Sequence, residues 1–233
     1  MSSKLKVAIL DDHPLIIDGY ISALSKDSRI EVAAQGSYGE ELSCMLKNCK
    51  IDLLILDVNV PTGKDNPNPY PIMHIIPTLL DDCPDLTIIV ISMFDQRSLI
   101  KALLDAGAYG FILKDDHESF NKLADILLDV HNGDIYLSQS IHKSFNEKRN
   151  PNEKITIPRR QREILSICLS DPDIKTKEIA NLLHIAHSTV RNQLSKIYVS
   201  LGVNSRFAAI QKARELGLLP PETSFPDAQN TGG

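Results

Sequence analysis

Over residues 1–130, short apolar runs alternate with stretches where apolar positions return at helical spacing. The runs fall at 6–10, 32–34, 53–56, 87–91 and 110–113. Between the first two, Ile17, Ile21 and Leu24 share one helical face; between the last two, Leu99, Leu103 and Ala106 do the same, ending at Gly107. The first pattern has the period of strands, the second that of amphipathic helices. Strands that alternate with helices form a parallel sheet covered on both faces. The unbroken Leu/Ile/Val of 53–56 and 88–91 marks central strands. The pattern predicts five strands with about five helices.

From 144 to 154 the text is polar, with almost nothing to bury, and predicts a linker after a helix end beginning at 131. Beyond it the period is helical throughout, over 160–169, 176–183, 188–201 and 206–216. The organisation is therefore a five-stranded, flavodoxin-like α/β domain (1–130), a helix end and linker (131–154), and a four-helix all-α domain (155–219). Residues 220–233 are a Pro/Gly/polar tail, predicted to be disordered.

Charge separates the two domains further than their periods do. Residues 1–149 hold 14 Lys/Arg against 22 Asp/Glu, a balance of −8, whereas 150–219 hold 11 against 6, a balance of +5. A basic module joined to an acidic one directs only the second toward a polyanion. No apolar run approaches the ~18 residues of a membrane span. The apolar run near the N-terminus is too short for a signal peptide. Cys44, Cys49, Cys83 and Cys168 form no CxxC pair and no metal-ligand spacing, which predicts reduced thiols and a cytoplasmic protein.

Chemistry gathers at the strand ends. Asp11 and Asp12 follow the first strand, Asp57 ends the third, Ser92 the fourth and Lys114 the fifth. Carboxyl ends of parallel strands are where open α/β sheets place their ligand crevice. Three converging carboxylates repel one another unless a hard cation sits among them, and oxygen ligands with room for water suit Mg²⁺. A phosphoryl group arriving on Asp57 needs that cation, a lysine charge and a hydroxyl to hold its oxygens. Lys114 and Ser92 are the candidates.

These residues resemble a receiver domain of the response-regulator superfamily. The resemblance rests on Asp11-Asp12-His13-Pro14, Asp57-Val-Asn-Val-Pro61, Ser92 and Ala106-Gly-Ala-Tyr-Gly-Phe-Ile-Leu-Lys114. It implies that Asp57 is the phospho-acceptor, that Asp12 ligates Mg²⁺ directly with Asp11 acting through water, and that Asn59 offers its backbone carbonyl. Ser92 and Lys114 would bind the phosphoryl oxygens. Phe111 stands where the family has its aromatic switch, or is an ordinary strand aromatic. After Pro61 the family's short Gly-x-Asp-Gly turn is replaced by a longer stretch, 62–71, with prolines at 67, 69 and 71. A similar lengthening occurs in capsule-synthesis regulators of this class. The prolines predict a stiff, extended loop, either a surface insertion or a modifier of phosphatase access and partner choice.

In the basic domain, Ile164, Leu165, Cys168 and Leu169 line one helix, Ile179, Leu182 and Leu183 the next, and Val190, Leu194, Ile197 and Leu201 the third. The third helix turns Thr189, Arg191, Asn192, Ser195 and Lys196 outward, donors suited to phosphates and base edges. Lys177-Glu-Ile-Ala180, Ser188-Thr-Val-Arg191 and Ser200-Leu-Gly-Val203 resemble the helix-turn-helix of the NarL/LuxR (FixJ) class over roughly 157–218. That resemblance implies that Arg191, Asn192 and Ser195 read bases of double-stranded DNA. Lys177, Thr189, Lys196 and Arg206 would touch its backbone. Glu163 matches a family acidic position with a structural role. Ala208, Ala209 and Ala213 form either a homodimer surface or plain core. This sequence departs from the pattern at Pro158, His184, Ala186 and Gln193.

The function expected is a two-component response regulator, not an enzyme. A histidine kinase or phosphotransfer protein phosphorylates Asp57, and that controls DNA binding and transcription. Two other readings stand beside it. One is a phosphorylation-independent DNA-binding regulator that uses its receiver for dimerisation or ligand sensing. The other, a hydrolase with Asp57 as nucleophile, is disfavoured by Asp-x-Asn at 57–59 and by the lack of a cap-like insert.

Overall fold

The computed structural model describes residues 4–48, 50–141, 143, 155–172, 174–203 and 205–219. The expected linker (144–154) and tail (220–233) lie outside them. β1 (Leu5–Leu10), α1 (Pro14–Leu24), β2 (Ile30–Gly36), α2 (Leu42–Asn48) and β3 (Leu53–Asp57) open the chain. A hairpin of β4 (Pro61–Gly63) and β5 (Asn66–Pro69) leads to α3 (Ile72–Asp82), β6 (Thr87–Ser92), α4 (Arg97–Ala106) and β7 (Gly110–Leu113). Then come α5 (His117–Asn121), α6 (Leu123–His131) and β8 (Tyr136–Leu137). The main sheet has the order β2-β1-β3-β6-β7-β8, and each of its pairings is parallel.

Alternation along the central strands divides the sheet's two faces. Val7, Ile9, Leu53, Ile55, Ile89 and Ile91 pack with Ile17, Tyr20 and Leu24 of α1 and with α6. Ala8, Leu10, Leu54, Leu56, Ile88 and Val90 pack with α3 and α4 on the other side. Period-2 alternation within a wholly apolar run is what a strand buried on both faces requires.

Two features differ from expectation. The sheet has a sixth strand, β8, beyond residue 130, which pairs Gly110 with Tyr136 and Phe111 with Leu137. The proline-rich stretch after Pro61 is a hairpin rather than a single extended loop, with Pro61 opposite Pro69 and Gly63 opposite Asn66. The Thr62 hydroxyl donates to the Asn68 carbonyl at 2.9 Å. Proline's fixed φ is compatible with strand edges, so the same residues serve either form. The hairpin rests on the β2–α2 turn, where the Tyr70 ring covers Gly39 so closely that no Cβ would fit.

The C-terminal unit comprises α7 (Arg159–Ser170), α8 (Thr176–Leu183), α9 (His187–Leu201) and α10 (Arg206–Glu215). Ile164, Leu165, Cys168, Ile179, Val190, Leu194, Ile197 and Leu201 form its core. His184 takes the left-handed conformation at the end of α8 (φ 52°), the place glycine occupies in the family pattern. Ala209 and Ala213 are fully buried, which assigns these two to the core rather than to an outer dimer surface. Glu163 pairs with Arg159 and Arg160 at 3.0 and 2.9 Å.

Candidate functional site

β1, β3, β6 and β7 deliver their polar residues to one edge of the sheet. Asp11 and Asp57 are buried, while Asp12 is partly exposed beside an exposed His13. The Lys114 ammonium lies 2.8 Å from Asp11 Oδ2 and 2.8 Å from Asp57 Oδ2. Burial works against its charge, but the hydrogen bonds to the two carboxylates outweigh burial and raise the Lys114 pKa. Asp57 Oδ1 accepts the Asn59 N–H at 3.3 Å, and Asp11 Oδ1 accepts the His13 N–H at 3.0 Å. Beneath the site the Tyr20 phenol is pushed up, first by burial and then by the charges of Asp11 and Asp57.

The ligand-capable atoms of Asp11, Asp12, His13 and Asp57 all lie within 4.8 Å of one another. Three carboxylates face one lysine, leaving excess negative charge for a cation. Asp12 Oδ1 is sealed from solvent and accepts no hydrogen bond, though the His13 imidazole stands 2.7 Å away. Carboxylate oxygens gathered this closely fit a divalent cation. The Ser92 carbonyl accepts the Lys114 N–H at 2.9 Å, while its hydroxyl accepts the Phe94 N–H at 3.2 Å. Phe111 is fully buried in the α3–α4 face of the sheet.

The second group of expected residues lies on α8 and α9. On the isolated helical unit they would face outward, but here Lys177, Arg191, Asn192 and Lys196 meet the α/β unit. Arg191 is 3% exposed. Its guanidinium donates to the carbonyls of Pro84 (3.1 Å) and Leu86 and lies 4.2 Å above the Tyr109 ring. Lys177 and Lys196 approach Asp85 (3.7 Å) and Asp105 (3.6 Å) of the α/β unit. Asn192 Oδ1 and Ser195 Oγ are buried and accept no hydrogen bond. Thr189 stays exposed. Gln193, where the family has histidine, accepts from Gln161 Nε2 at 3.1 Å.

Sequence reading missed the surface that covers α9, namely the Pro84–Leu86 turn, Asp105 and Tyr109. It also missed His187, whose Nδ1 lies 2.7 Å from the Pro84 carbonyl and whose Nε2 lies 2.6 Å from the Thr176 hydroxyl. No local motif carries a contact between residues 103 positions apart. Arg206 is likewise occupied: its backbone N–H donates to Asp134 at 3.2 Å and its guanidinium to the Pro172 and Ile174 carbonyls at 3.1 and 2.5 Å.

Comparison with known proteins matches both units. Residues 7–126 match the profile of the response regulator receiver domain, and residues 156–213 that of bacterial regulatory proteins of the luxR family. Among curated relatives, a nitrate/nitrite response regulator protein homolog of Haemophilus influenzae is 30% identical, covering 90% of this chain and 96% of its own. The transcriptional regulatory protein LnrK of Bacillus subtilis is 27% identical over 90% and 97%. The RcsB response regulator of Salmonella typhimurium shares the fold, with a TM-score of 0.54 at 21% identity over 94% of this chain and 100% of that one.

Proposed function

The chain belongs to the two-component response regulators, with a receiver domain followed by a LuxR-family DNA-binding domain, and from that premise we propose that phosphorylation of Asp57 releases α9 from the receiver to read DNA. The observation that carries this is the double pairing of Lys114 with Asp11 and Asp57, in a molecule whose recognition helix is held against its own receiver. An Asp57 oxygen attacks the phosphorus of a phosphohistidine on a kinase or phosphotransfer protein. The P–N bond breaks, and its electron pair returns to the leaving imidazole. Lys114 then exchanges its contact with the carboxylate for one with the new phosphoryl oxygens, and the Ser92 hydroxyl turns from Phe94 toward the same oxygens. Phe111 follows into the space that Ser92 leaves.

Mg²⁺ would be held by Asp12, Asp57 and the Asn59 carbonyl, with Asp11 behind, and would neutralise charge on the transferring phosphoryl group. Asp11 and Asp57 keep Lys114 charged, and the protein walls around them exclude bulk water. On DNA, Arg191, Asn192 and Ser195 read base edges, while Lys177, Thr189, Lys196 and Arg206 hold the backbone. The regulator acts in the cytoplasm on double-stranded DNA as a homodimer, with a receiver that runs on through β8 and a DNA-binding unit that begins near 155. A covered recognition helix argues against a regulator that ignores phosphate.

The test is phosphoryl labelling of Asp57→Asn by a small phospho-donor, alongside DNA binding before and after phosphorylation. Labelling should vanish in the variant, and phosphorylation should tighten DNA binding of the wild type. Labelling that survives in Asp57→Asn removes the site assignment. DNA affinity that phosphorylation leaves unchanged removes the coupling.

A further inference from the structure

β8 joins the receiver sheet immediately before the segment that leads to the DNA-binding unit, and it pairs with the strand that carries Phe111 and ends at Lys114. The Tyr136 N–H donates to the Tyr109 carbonyl at 3.1 Å and the Ser138 N–H to the Phe111 carbonyl at 3.0 Å. The fully buried Ser138 hydroxyl accepts the Leu113 N–H at 2.9 Å and faces the Asp116 carboxylate. Asp116 in turn caps α5, accepting the Ser119 N–H at 3.1 Å and its hydroxyl at 2.6 Å. Ser119 Oγ lies 2.8 Å from the Tyr136 hydroxyl, which brings the chain of polar contacts back to β8.

Two successive amides at the end of β7 therefore point to opposite parties. Leu113 N–H is held by Ser138, and Lys114 N–H by the carbonyl of Ser92. A shift of Lys114 and Ser92 toward a phosphoryl group moves a backbone only one residue from the Ser138 bond. Hydrogen bonds weaken steeply with distance and angle, so the same displacement strains the β8 seal. Gly110 adds a second sign of close fit, since a Cβ there would lie 3.0 Å from the Tyr136 carbonyl.

We propose that Ser138 is a positioning residue that couples the phospho-acceptor site to the interdomain segment. Its bond to Leu113 holds β8 in the sheet while Asp57 is unmodified, and that bond is released when Lys114 and Ser92 close on a phosphoryl group. The inference rests on Asp57 being the phospho-acceptor. By linkage, whatever loosens β8 must also favour the closed phosphoryl site, and by the same factor.

The test uses the full chain with beryllofluoride and Mg²⁺ as the phosphoryl mimic. Amide hydrogen exchange at Leu113 and Ser138 is followed together with amide shifts at Asn59 and Lys114. Exchange should speed at least about tenfold when the mimic binds, within the range of ordinary coupling energies. Unchanged exchange in a protein whose Asn59 and Lys114 amides do shift overturns the coupling. An absence of any shift at those amides instead overturns the phospho-acceptor reading. Ser138→Ala should tighten beryllofluoride binding about fivefold or more, and Ser138→Thr, which keeps the hydroxyl, should restore the wild-type value. A residue with a merely structural role would weaken mimic binding or leave it alone, and either result rejects the proposal. Tyr136→Phe, which removes only the hydroxyl facing Ser119, gives a milder variant. It should shift mimic affinity in the same direction, and an unchanged affinity there counts against the coupling.

Discussion

Gly107 ends α4 at a φ of 117°, a conformation that L side chains rarely adopt. A Cβ there would strike Leu80 and lie 3.1 Å from Asn192 Oδ1 of α9. The sequence placed a helix stop at this residue, but its role in seating α9 is visible only in three dimensions. Gly107→Ala combines backbone strain of about 1 kcal/mol with that crowding. It should lower Tm by roughly 2–8 °C in calorimetry, on the scale of a 150–250-residue protein. An unchanged Tm would mean that α4 and α9 adjust without loss. Arg191 shows the same economy of position: the guanidinium expected to read bases instead donates to the Pro84 and Leu86 carbonyls and covers Tyr109. A desolvated cation–π contact of this kind is worth about 2 kcal/mol. The residue cannot serve both partners at once.

At the scale of elements, α9 begins at His187, whose ring is fixed between the Pro84 carbonyl and the Thr176 hydroxyl. Burial and then Arg191 push its pKa below the ordinary 6.5, with Lys177 adding to them and the Pro84 carbonyl and Asp85 opposing. A pKa lowered by docking means that the docked state prefers the neutral imidazole. Docking stability is therefore complete above pH 6.5 and declines as the pH falls below it. The interface should open as the pH falls below 6.5, read as a rise in radius of gyration by solution scattering, and His187→Gln should flatten the response. An equal response in the variant would assign the transition to other groups, of which the similarly lowered His131 is the first to examine. The strand-end constellation was legible in sequence because each of its members follows an apolar run. The expected 176–183 helix matches α8, and 188–201 falls one residue short of α9. β8 was not legible, since two residues carry no periodicity, and neither was the hairpin, because prolines mark rigidity without fixing a partner. The covering of α9 was hidden for another reason: amphipathicity describes what a helix can bury, not which of two partners it meets.

In the whole molecule, the receiver's acidic excess and the helical unit's basic excess meet at Lys177–Asp85 and Lys196–Asp105. These pairs are exposed, so each is weak alone and screened by salt. Replacing both aspartates by lysine places like charges face to face. The unphosphorylated double variant should bind DNA several-fold more tightly than wild type at low salt, with the difference shrinking as salt rises. Equal affinities in a gel-shift titration would place the hold on α9 elsewhere, in Arg191 and the buried helix contacts. The closed form also bears on where the protein spends its time. Asn192 Oδ1 and Ser195 Oγ are covered and unpaired, and each such atom costs about 1–3 kcal/mol, which narrows the margin by which closure is favoured. Closure lowers the apparent affinity for every DNA sequence by the same factor. The preference for an operator over random sequence is untouched, but the chromosome, a vast reservoir of weak sites bound at about 10⁻⁴–10⁻⁶ M, loses its hold first. On the proposed reading, the unmodified regulator is thereby kept in free solution, within reach of a phospho-donor.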